Sequence, residues 1–413
     1  MYEKFKLRFP EPNSPELQAA LGEMKMLAAV YTKLLNPQRE ADADIRAELA
    51  YINRLEINVA YPFLMPVYLD YDKQVISRTV FLDVLKLVQS FTWRRFIVGL
   101  PTNALNKIFM SLYDRIQPQD YLGSLQRSLM RRTGGQRFPR DAEVVAMLKD
   151  KDIYNTKQRT RMYFFERIEN HNNNEQVAIF ENGYITIEHI FPQNPEAGWR
   201  KSLDAEEYAR IKEIYLNTIG NLTLSGNNGK LGNKLFLEKR DMNADGKEQG
   251  YKFSRLWLNR DLQKLDEWNE ETIRKRAYRI AERFLEVWPA PDVVFEEEVD
   301  LEETNIFDAD EPRHRRLEYA VFFGDKIEVA QVARLYRHVF RQLLEIQPDA
   351  FVGTELGARL AITDDANKLR QALAISDTLY IEGNIDNLTK FDRIKQALTA
   401  LDIEEELSIK YAS

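Results

Sequence analysis

Apolar residues recur every three to four positions over most of the first 170 residues, a spacing typical of amphipathic helices. The pattern predicts helices over 16–35, 43–55, 75–98, 102–116, 120–132, 140–150 and 156–170. Pro101 and the loop at Thr133-Gly134-Gly135 interrupt the pattern. We therefore predict a helical bundle domain over residues 1–155.

The pattern changes near residue 183. Residues 183–190 and 221–225 are rich in β-branched side chains and predict two short strands, each bounded by glycine. Helical spacing returns and predicts helices over 204–217, 233–241 and 253–288. We predict a second domain over 156–289, with two strands among flanking helices.

The composition changes again at residues 290–312, where acidic residues and prolines are typical of a linker. Strand patterns at 317–323, 379–383 and 407–411 then alternate with helical patterns at 329–345 and 387–401. This order predicts a small α+β domain over 313–413, for which we expect a role in protein contacts or in sensing modified bases.

Composition narrows the class of protein. The chain has 413 residues, of which 44% are hydrophobic, so it can form a proper core. It contains no cysteine, which excludes disulfides, zinc ribbons, iron–sulfur clusters and thiol catalysis and fits a reducing compartment. We find no run of about 18 apolar residues and no secretory signal, so we expect a cytoplasmic protein without membrane contact.

The charge is unevenly divided along the chain. Residues 1–150 carry 21 Lys and Arg against 17 Asp and Glu, whereas residues 291–413 carry 14 against 26. DNA is therefore not expected on the last third. The blocks Arg94-Arg95 and Arg131-Arg132 are interpreted as solvated helix faces, with phosphate contact as the alternative.

One of the four histidines has neighbours that suggest chemistry. His189 follows Glu188 at the end of a predicted strand, and Pro192 turns the chain away. Neighbouring strand residues point to opposite faces unless the strand is distorted, and the proline makes such a distortion plausible. We expect the imidazole and the carboxylate to converge. His171, His314 and His338 lack carboxylates at a useful spacing and are interpreted as structural.

Asparagines downstream could complete a metal site. Hard divalent cations prefer oxygen ligands, which a carboxylate and an amide carbonyl supply without any thiol. Glu188 is the expected anionic ligand for Mg²⁺ (or Mn²⁺), and Asn228 and Asn233 are alternatives for the second position.

Three blocks of sequence carry a resemblance to a known family: Glu188-His189-Ile190-Phe191-Pro192-Gln193, Ile219-Gly220-Asn221-Leu222-Thr223-Leu224, and Asn228 with Asn233-Lys234, Phe236 and Lys239. Their order and spacing resemble the carboxy-terminal His-Asn-His nuclease domain, of the ββα-metal class, in GmrSD-type modification-dependent restriction endonucleases. The resemblance implies a mainly α fold with a small ββα-metal core, followed here by the C-terminal α+β domain.

The resemblance also implies roles for single residues. His189 would be the general base in a metal-dependent DNA endonuclease of an anti-phage restriction system. Asn221 would fix the connecting loop by backbone hydrogen bonds and orient His189. Lys234 and Lys239 would contact DNA phosphates, with solvated lysines as the alternative.

One departure from the family concerns partners. Members usually carry an amino-terminal NTP-hydrolysing module, and we find neither its Asp-Gly-Gln-Gln-Arg-type motif nor a Walker-type motif. We expect either a fragment of a longer protein or a separate subunit with an NTPase partner, acting on duplex DNA that includes modified DNA. A non-catalytic DNA-binding or assembly subunit with a degenerate nuclease site is the alternative, because the family class more often has Asp at the position of Glu188.

Overall fold

The structure is a computed structural model that describes residues 14–132, 134–244, 246–293, 303–313 and 315–412. It is mostly helical with several small sheets, in agreement with the predicted mainly α class. Residues 294–302 of the predicted linker and His314 lie outside the described residues. None of the helices that the structure describes combines the length and the apolar character needed to cross a membrane.

The helices of the described residues are, in chain order, α1 (Ser14–Leu35), α2 (Ala43–Arg54), α3 (Tyr61–Asp72), α4 (Arg78–Val98), α5 (Asn103–Leu112), α6 (Tyr121–Met130), α7 (Asp141–Leu148), α8 (Gln158–Asn170), α9 (Ile179–Asn182), α10 (Trp199–Ser202), α11 (Ala205–Arg210), α12 (Asn228–Leu231), α13 (Phe236–Arg240), α14 (Glu270–Val287), α15 (Val332–Ile346), α16 (Glu355–Arg359) and α17 (Asn387–Ala400). A π-helical turn, Ile211–Tyr215, continues α11.

The strands are β1 (Thr186–His189), β2 (Leu222–Ser225), β3 (Asn243–Ala244), β4 (Lys247–Glu248), β5 (Thr304–Asn305), β6 (Leu317–Phe322), β7 (Asp325–Ile327), β8 (Ile362–Thr363), β9 (Ala372–Ala374), β10 (Tyr380–Glu382) and β11 (Leu407–Tyr411). They form the pairs β1-β2 and β3-β4 and two larger sheets ordered β8-β10-β9 and β5-β11-β6-β7. Each pairing is antiparallel.

Contacts between residues divide the chain into two compact units. Unit 1 consists of residues 1–99 and 139–291, and unit 2 consists of 100–138 and 292–413. The predicted bundle over 1–155 therefore contributes helices to both units, with α5 and α6 in unit 2. The domain boundaries that we predict at residues 155, 289 and 312 stay predictions.

Unit 1 has two hydrophobic clusters beside the β1-β2 pair. The first joins α4, α7, α8 and α14 and includes Leu222 and Leu224 of β2. The second contains Ile190 and Phe191, directly after β1, together with Trp199 and Trp268. Apolar packing at β2 and directly after β1 therefore stabilises the end of the short sheet.

Unit 2 has its own core. In the described residues β6 and β11 form the centre of a sheet against which α15 packs, and α15 also contacts α17. The apolar stripe of α15 is buried, including Leu335, Val339 and Leu343. The strands predicted at 317–323, 379–383 and 407–411 and both predicted helices of this segment are confirmed.

Two stretches of unit 1 differ from the predicted elements. Helix α3 was not predicted because Pro62 and Pro66 interrupt helical patterns, yet buried side chains such as Phe63, Leu64 and Val67 stabilise it. The helix predicted over 253–288 is shorter. Its first part forms separate 3₁₀ turns, and α14 begins only after Asn269, whose side chain accepts a hydrogen bond from Thr272 N.

The interpretation of Arg94 as part of a solvated helix face is wrong. Its side chain is fully buried in unit 1, where it donates to the backbone oxygens of Pro139 and Trp288 and pairs with Asp141. Arg95 is buried as well. Arg94 therefore links α4 to the segments at Pro139 and Trp288, because a buried guanidinium needs several acceptors to offset the loss of water.

Candidate active site

The predicted site residues surround the antiparallel pair of β1 and β2. Glu188 lies opposite Thr223 and His189 lies opposite Leu222. Because side chains alternate along a strand, β1 has two faces. We call the face with Thr186 and Glu188 the carboxylate face and the face with Ile187 and His189 the imidazole face.

The strand is regular up to its last residue. Its pairing register runs without a shift from Thr186 to His189, and Ile190 N then donates to Asn221 O at 2.9 Å. The expected distortion is therefore not found, and the carboxylate of Glu188 and the ring of His189 start from opposite faces. The two groups can act on one substrate only at the end of the strand.

On the carboxylate face, Glu188 forms a buried ion pair. Its Oε1 accepts from Lys239 Nζ at 2.7 Å, and the Tyr251 hydroxyl lies 3.5 Å from the same oxygen. Burial raises the pKa of Glu188, and the Lys239 ammonium opposes this shift. Burial likewise lowers the pKa of Lys239, opposed by Glu188. The carboxylate thus has one oxygen committed to a cation of the protein itself.

The two lysines expected to contact DNA have different environments. Lys239, on α13, has a fully buried side chain, and its ammonium also donates to His189 O at 2.7 Å. It is therefore not on a surface that DNA could reach in this conformation. Lys234 is partly exposed, and its backbone oxygen accepts from Trp199 Nε1. For Lys234, contact with DNA phosphates stays a prediction.

The amide of Asn228 lies on the carboxylate face. Its Nδ2 donates to Thr186 Oγ1 at 2.6 Å and to Ile187 O at 3.0 Å, so the start of α12 is attached to β1. Its Oδ1 is buried and has no hydrogen-bond partner among the described residues. Such an orphaned acceptor is unusual in a folded protein and needs an explanation.

A divalent cation would supply that missing partner. Asn228 Oδ1 and the second carboxylate oxygen of Glu188 are the kind of donors that Mg²⁺ prefers, and they belong to the same face of β1. Asn233 is exposed, and its contact in this region is through its backbone oxygen, which accepts from Glu196 N. Among the described residues no group of three or more His, Cys, Asp or Glu could hold a metal, so water would complete the ligand shell.

Asn221 braces the end of the strand. Its Oδ1 accepts from Phe191 N at 2.8 Å and from Trp268 Nε1 at 3.1 Å, and its Nδ2 donates to the backbone oxygens of Phe191 and Leu216. The side chain is completely buried and uses all of these bonds to fix the chain after His189. Its geometry suits the backbone-fixing role expected from the sequence and gives it no direct access to a substrate.

On the imidazole face, His189 is held by residues outside the motif blocks. Its Nε2 lies 3.1 Å from Asn217 Oδ1, and the Tyr154 ring packs edge-on against the imidazole, with 4.3 Å between centroids. The residue is 8% exposed. Burial lowers the pKa of His189, opposed by the bond to Asn217 and reinforced by the charge of Lys239. Burial thus favours the uncharged form of the ring.

Sequence analysis missed Tyr154 and Asn217. Tyr154 lies in the loop between α7 and α8, far from the motifs, and nothing in its local pattern indicates a site. Asn217 had only a weak signal in the sequence, namely its position four residues before Asn221.

The other described histidines lie elsewhere. His171 Nε2 is 3.3 Å from Glu286 Oε2, and His338 Nε2 is 2.6 Å from Gln342 Nε2. Each of these rings has a polar partner outside the three motif blocks. This placement agrees with their interpretation as structural residues.

Comparison with known proteins gives one result for the segment that holds the site. Residues 138–283 match the family model for the C-terminal domain of GmrSD restriction endonucleases. No curated protein matches the chain. The matched segment contains β1, β2, the helices α10 to α13 that follow them, and each residue described on the two faces. It confirms the resemblance drawn from the three motif blocks: residues 138–283 are similar to the C-terminal domain of GmrSD restriction endonucleases.

Proposed function

We propose that residues 138–283 form a DNA endonuclease of an anti-phage restriction system, with His189 as the general base. The observation that carries the proposal is the pair of faces at the end of β1, with a buried imidazole on one face and a carboxylate and an amide oxygen without a donor on the other. The expected substrate is duplex DNA, including modified DNA, in the cytoplasm.

The chemistry assigned to His189 is proton transfer. The neutral ring takes a proton from a water molecule as the water oxygen bonds to phosphorus, and the bond from phosphorus to the leaving O3′ breaks. The leaving oxygen takes its proton from solvent. A general base of this kind contributes about 10²–10⁴-fold to the rate.

Glu188 and Asn228 are proposed to hold Mg²⁺ or Mn²⁺. When bound, the cation would neutralise charge on the scissile phosphate and on the leaving oxygen. The orphaned Oδ1 of Asn228 favours this residue over Asn233 as the amide ligand. Lys239 would then hold the committed oxygen of Glu188 and fix the direction of the other.

Supercoiled-plasmid cleavage by the full chain tests the proposal. We expect nicked or linear DNA with Mg²⁺ or Mn²⁺, no product with EDTA, and loss of at least about 10²-fold in rate for His189→Ala. His171→Ala is the matched control, because it removes an imidazole far from β1, and it should cleave like the wild type. Equal cleavage by the wild type and His189→Ala would contradict the role of His189.

A second candidate function is a DNA-binding or assembly subunit without catalysis. The observation that favours it is the Glu188–Lys239 pair, in which an ammonium already neutralises the expected metal ligand. DNA binding by the wild type without cleavage under any divalent cation, supplied alone or with an NTPase partner and NTP, would support this function and exclude the first.

A further inference from the structure

A chain of polar contacts leads away from the imidazole face. His189 Nε2 lies 3.1 Å from Asn217 Oδ1, and Asn217 Nδ2 donates to Asp152 Oδ2 at 3.3 Å. All three residues belong to unit 1. Neither Asn217 nor Asp152 is part of the three motif blocks.

The direction of these bonds follows from the chemistry of the groups. An ionised carboxylate can only accept hydrogen bonds, so Asp152 selects the NH₂ side of the Asn217 amide. The amide oxygen is then turned to the imidazole, and since this oxygen also only accepts, the hydrogen must lie on Nε2. In the neutral ring the other nitrogen, Nδ1, is left as the acceptor.

The surrounding loop keeps this arrangement in place. The backbone oxygen of Asn217 accepts from Ile153 N at 3.1 Å and from Tyr154 N at 3.3 Å. Asp152 accepts from both the backbone and the side-chain nitrogen of Asn155, at 2.9 and 2.7 Å. The loop over 152–155 therefore carries the carboxylate that orients Asn217 and the Tyr154 ring that packs on His189.

We infer that Asn217 and Asp152 are positioning residues that hold His189 as the Nε2–H tautomer, so that Nδ1 is the atom that accepts the proton from water. The inference rests on the proposed function for its catalytic meaning, whereas the tautomer itself is a property of the protein alone. No described residue forms a hydrogen bond with Nδ1, and His189 retains 8% exposure.

Nitrogen NMR of the full chain labelled with ¹⁵N-histidine tests the tautomer without metal or DNA. The chain has four histidines, and His189→Ala identifies the resonances of interest. At a pH where the ring is neutral, we expect the shifts of a protonated Nε2 and an unprotonated Nδ1. A wild-type ring protonated on Nδ1 would overturn the inference.

Variants show whether the two residues cause the preference. Asn217→Leu removes the acceptor, and Asp152→Asn lets the amide turn, so both should give a mixture of tautomers. The exchanged pair, Asp152→Asn with Asn217→Asp, restores a donor facing an acceptor and should restore the Nε2–H form. Asp150→Asn, an exposed acid two positions away, is the matched control and should leave the ring unchanged. An unchanged tautomer in Asn217→Leu would also overturn the inference.

Cleavage kinetics test whether Asn217 and Asp152 contribute to catalysis. We expect Asn217→Leu to lower kcat by roughly 10- to 100-fold, a part of what a general base contributes, with little change in KM. The exchanged pair should recover activity. Cleavage by a wild type with an Nδ1–H ring would refute the positioning but not the proposed function. An Nε2–H ring in a chain that cleaves no DNA would refute the proposed function and leave the tautomer assignment standing.

Discussion

The two faces of β1 hold neighbouring side chains by different means. On the carboxylate face, Glu188 is held by charge, through a buried ammonium at 2.7 Å. On the imidazole face, His189 is held by a neutral amide and an aromatic edge. The ion pair lowers the pKa of the acid against the effect of burial, whereas at the histidine burial favours the uncharged ring against the effect of the amide bond. The strand end therefore presents a carboxylate paired with an ammonium on one face and, on the other, an imidazole whose uncharged form is favoured by burial.

The largest effect expected from this difference is on stability. Lys239→Met leaves the Glu188 carboxylate buried without its partner, which should lower the free energy of unfolding by roughly 3–5 kcal/mol. Urea denaturation of the full chain measures it. Lys230→Met, an exposed lysine on α12, is the control and should change stability by less than about 0.5 kcal/mol.

A double variant separates charge from packing on this face. Glu188→Leu with Lys239→Met removes both charges and should be closer to the wild type in stability than Lys239→Met alone, because burying an ion pair brings little net stabilisation. If the double variant loses as much unfolding free energy as Lys239→Met, the unpaired charge of Glu188 is not the cause of the loss.

The next effect concerns Asn221, whose side chain fixes the backbone directly after β1. Asn221→Ala leaves the backbone groups of Phe191, the oxygen of Leu216 and the indole nitrogen of Trp268 without partners. At the low end of roughly 1–3 kcal/mol for each of these four unpaired buried groups, we expect a loss of about 4 kcal/mol in unfolding free energy. Thermal unfolding checks this, with exposed Asn233→Ala as the control. A small loss would mean that Asn221 does not brace the chain.

A smaller effect decides between the two candidate amide ligands. Asn228→Ala removes the orphaned oxygen, and the Mg²⁺ concentration for half-maximal cleavage should rise by about tenfold or more. Asn233→Ala should leave it unchanged. Titration of Mg²⁺ in the plasmid assay measures both variants, and the reverse result would transfer the ligand role to Asn233.

The smallest expected effect is on the imidazole face. Tyr154→Leu removes the aromatic edge against His189 and should cost about 0.5–1.5 kcal/mol of stability. Tyr184→Leu, at a side chain that is 83% exposed, is the control. If Tyr154→Leu lowers the unfolding free energy more than Lys239→Met does, the contacts on the imidazole face are not weaker than the ion pair on the carboxylate face.

Local sequence was sufficient for part of the site. The β-branched runs and the glycines around them predicted β1 and β2, and the motif blocks pointed to His189, Glu188 and Asn221 at this strand pair. The regular strand was harder to predict, since Pro192 suggested a distortion that the pairing of His189 with Leu222 excludes.

The remaining features depend on contacts between distant residues. Lys239 has the same local pattern as an exposed lysine, and only the position of Glu188, 51 residues earlier, explains its burial. Asn217 meets His189 and Asp152 through the fold, because neither partner is near it in sequence. The prolines of α3 oppose a helix locally, and burial of its apolar side chains outweighs them.

Anomalous diffraction from crystals of the full chain grown with Mn²⁺ would locate the cation directly. We expect a single strong peak on the carboxylate face, within ligand distance of Asn228 Oδ1 and of the Glu188 oxygen that does not contact Lys239, with His189 Nδ1 facing the same end of β1. No peak at this position under saturating Mn²⁺, or a peak bound only by residues away from β1, would contradict a metal-dependent nuclease site at this strand end.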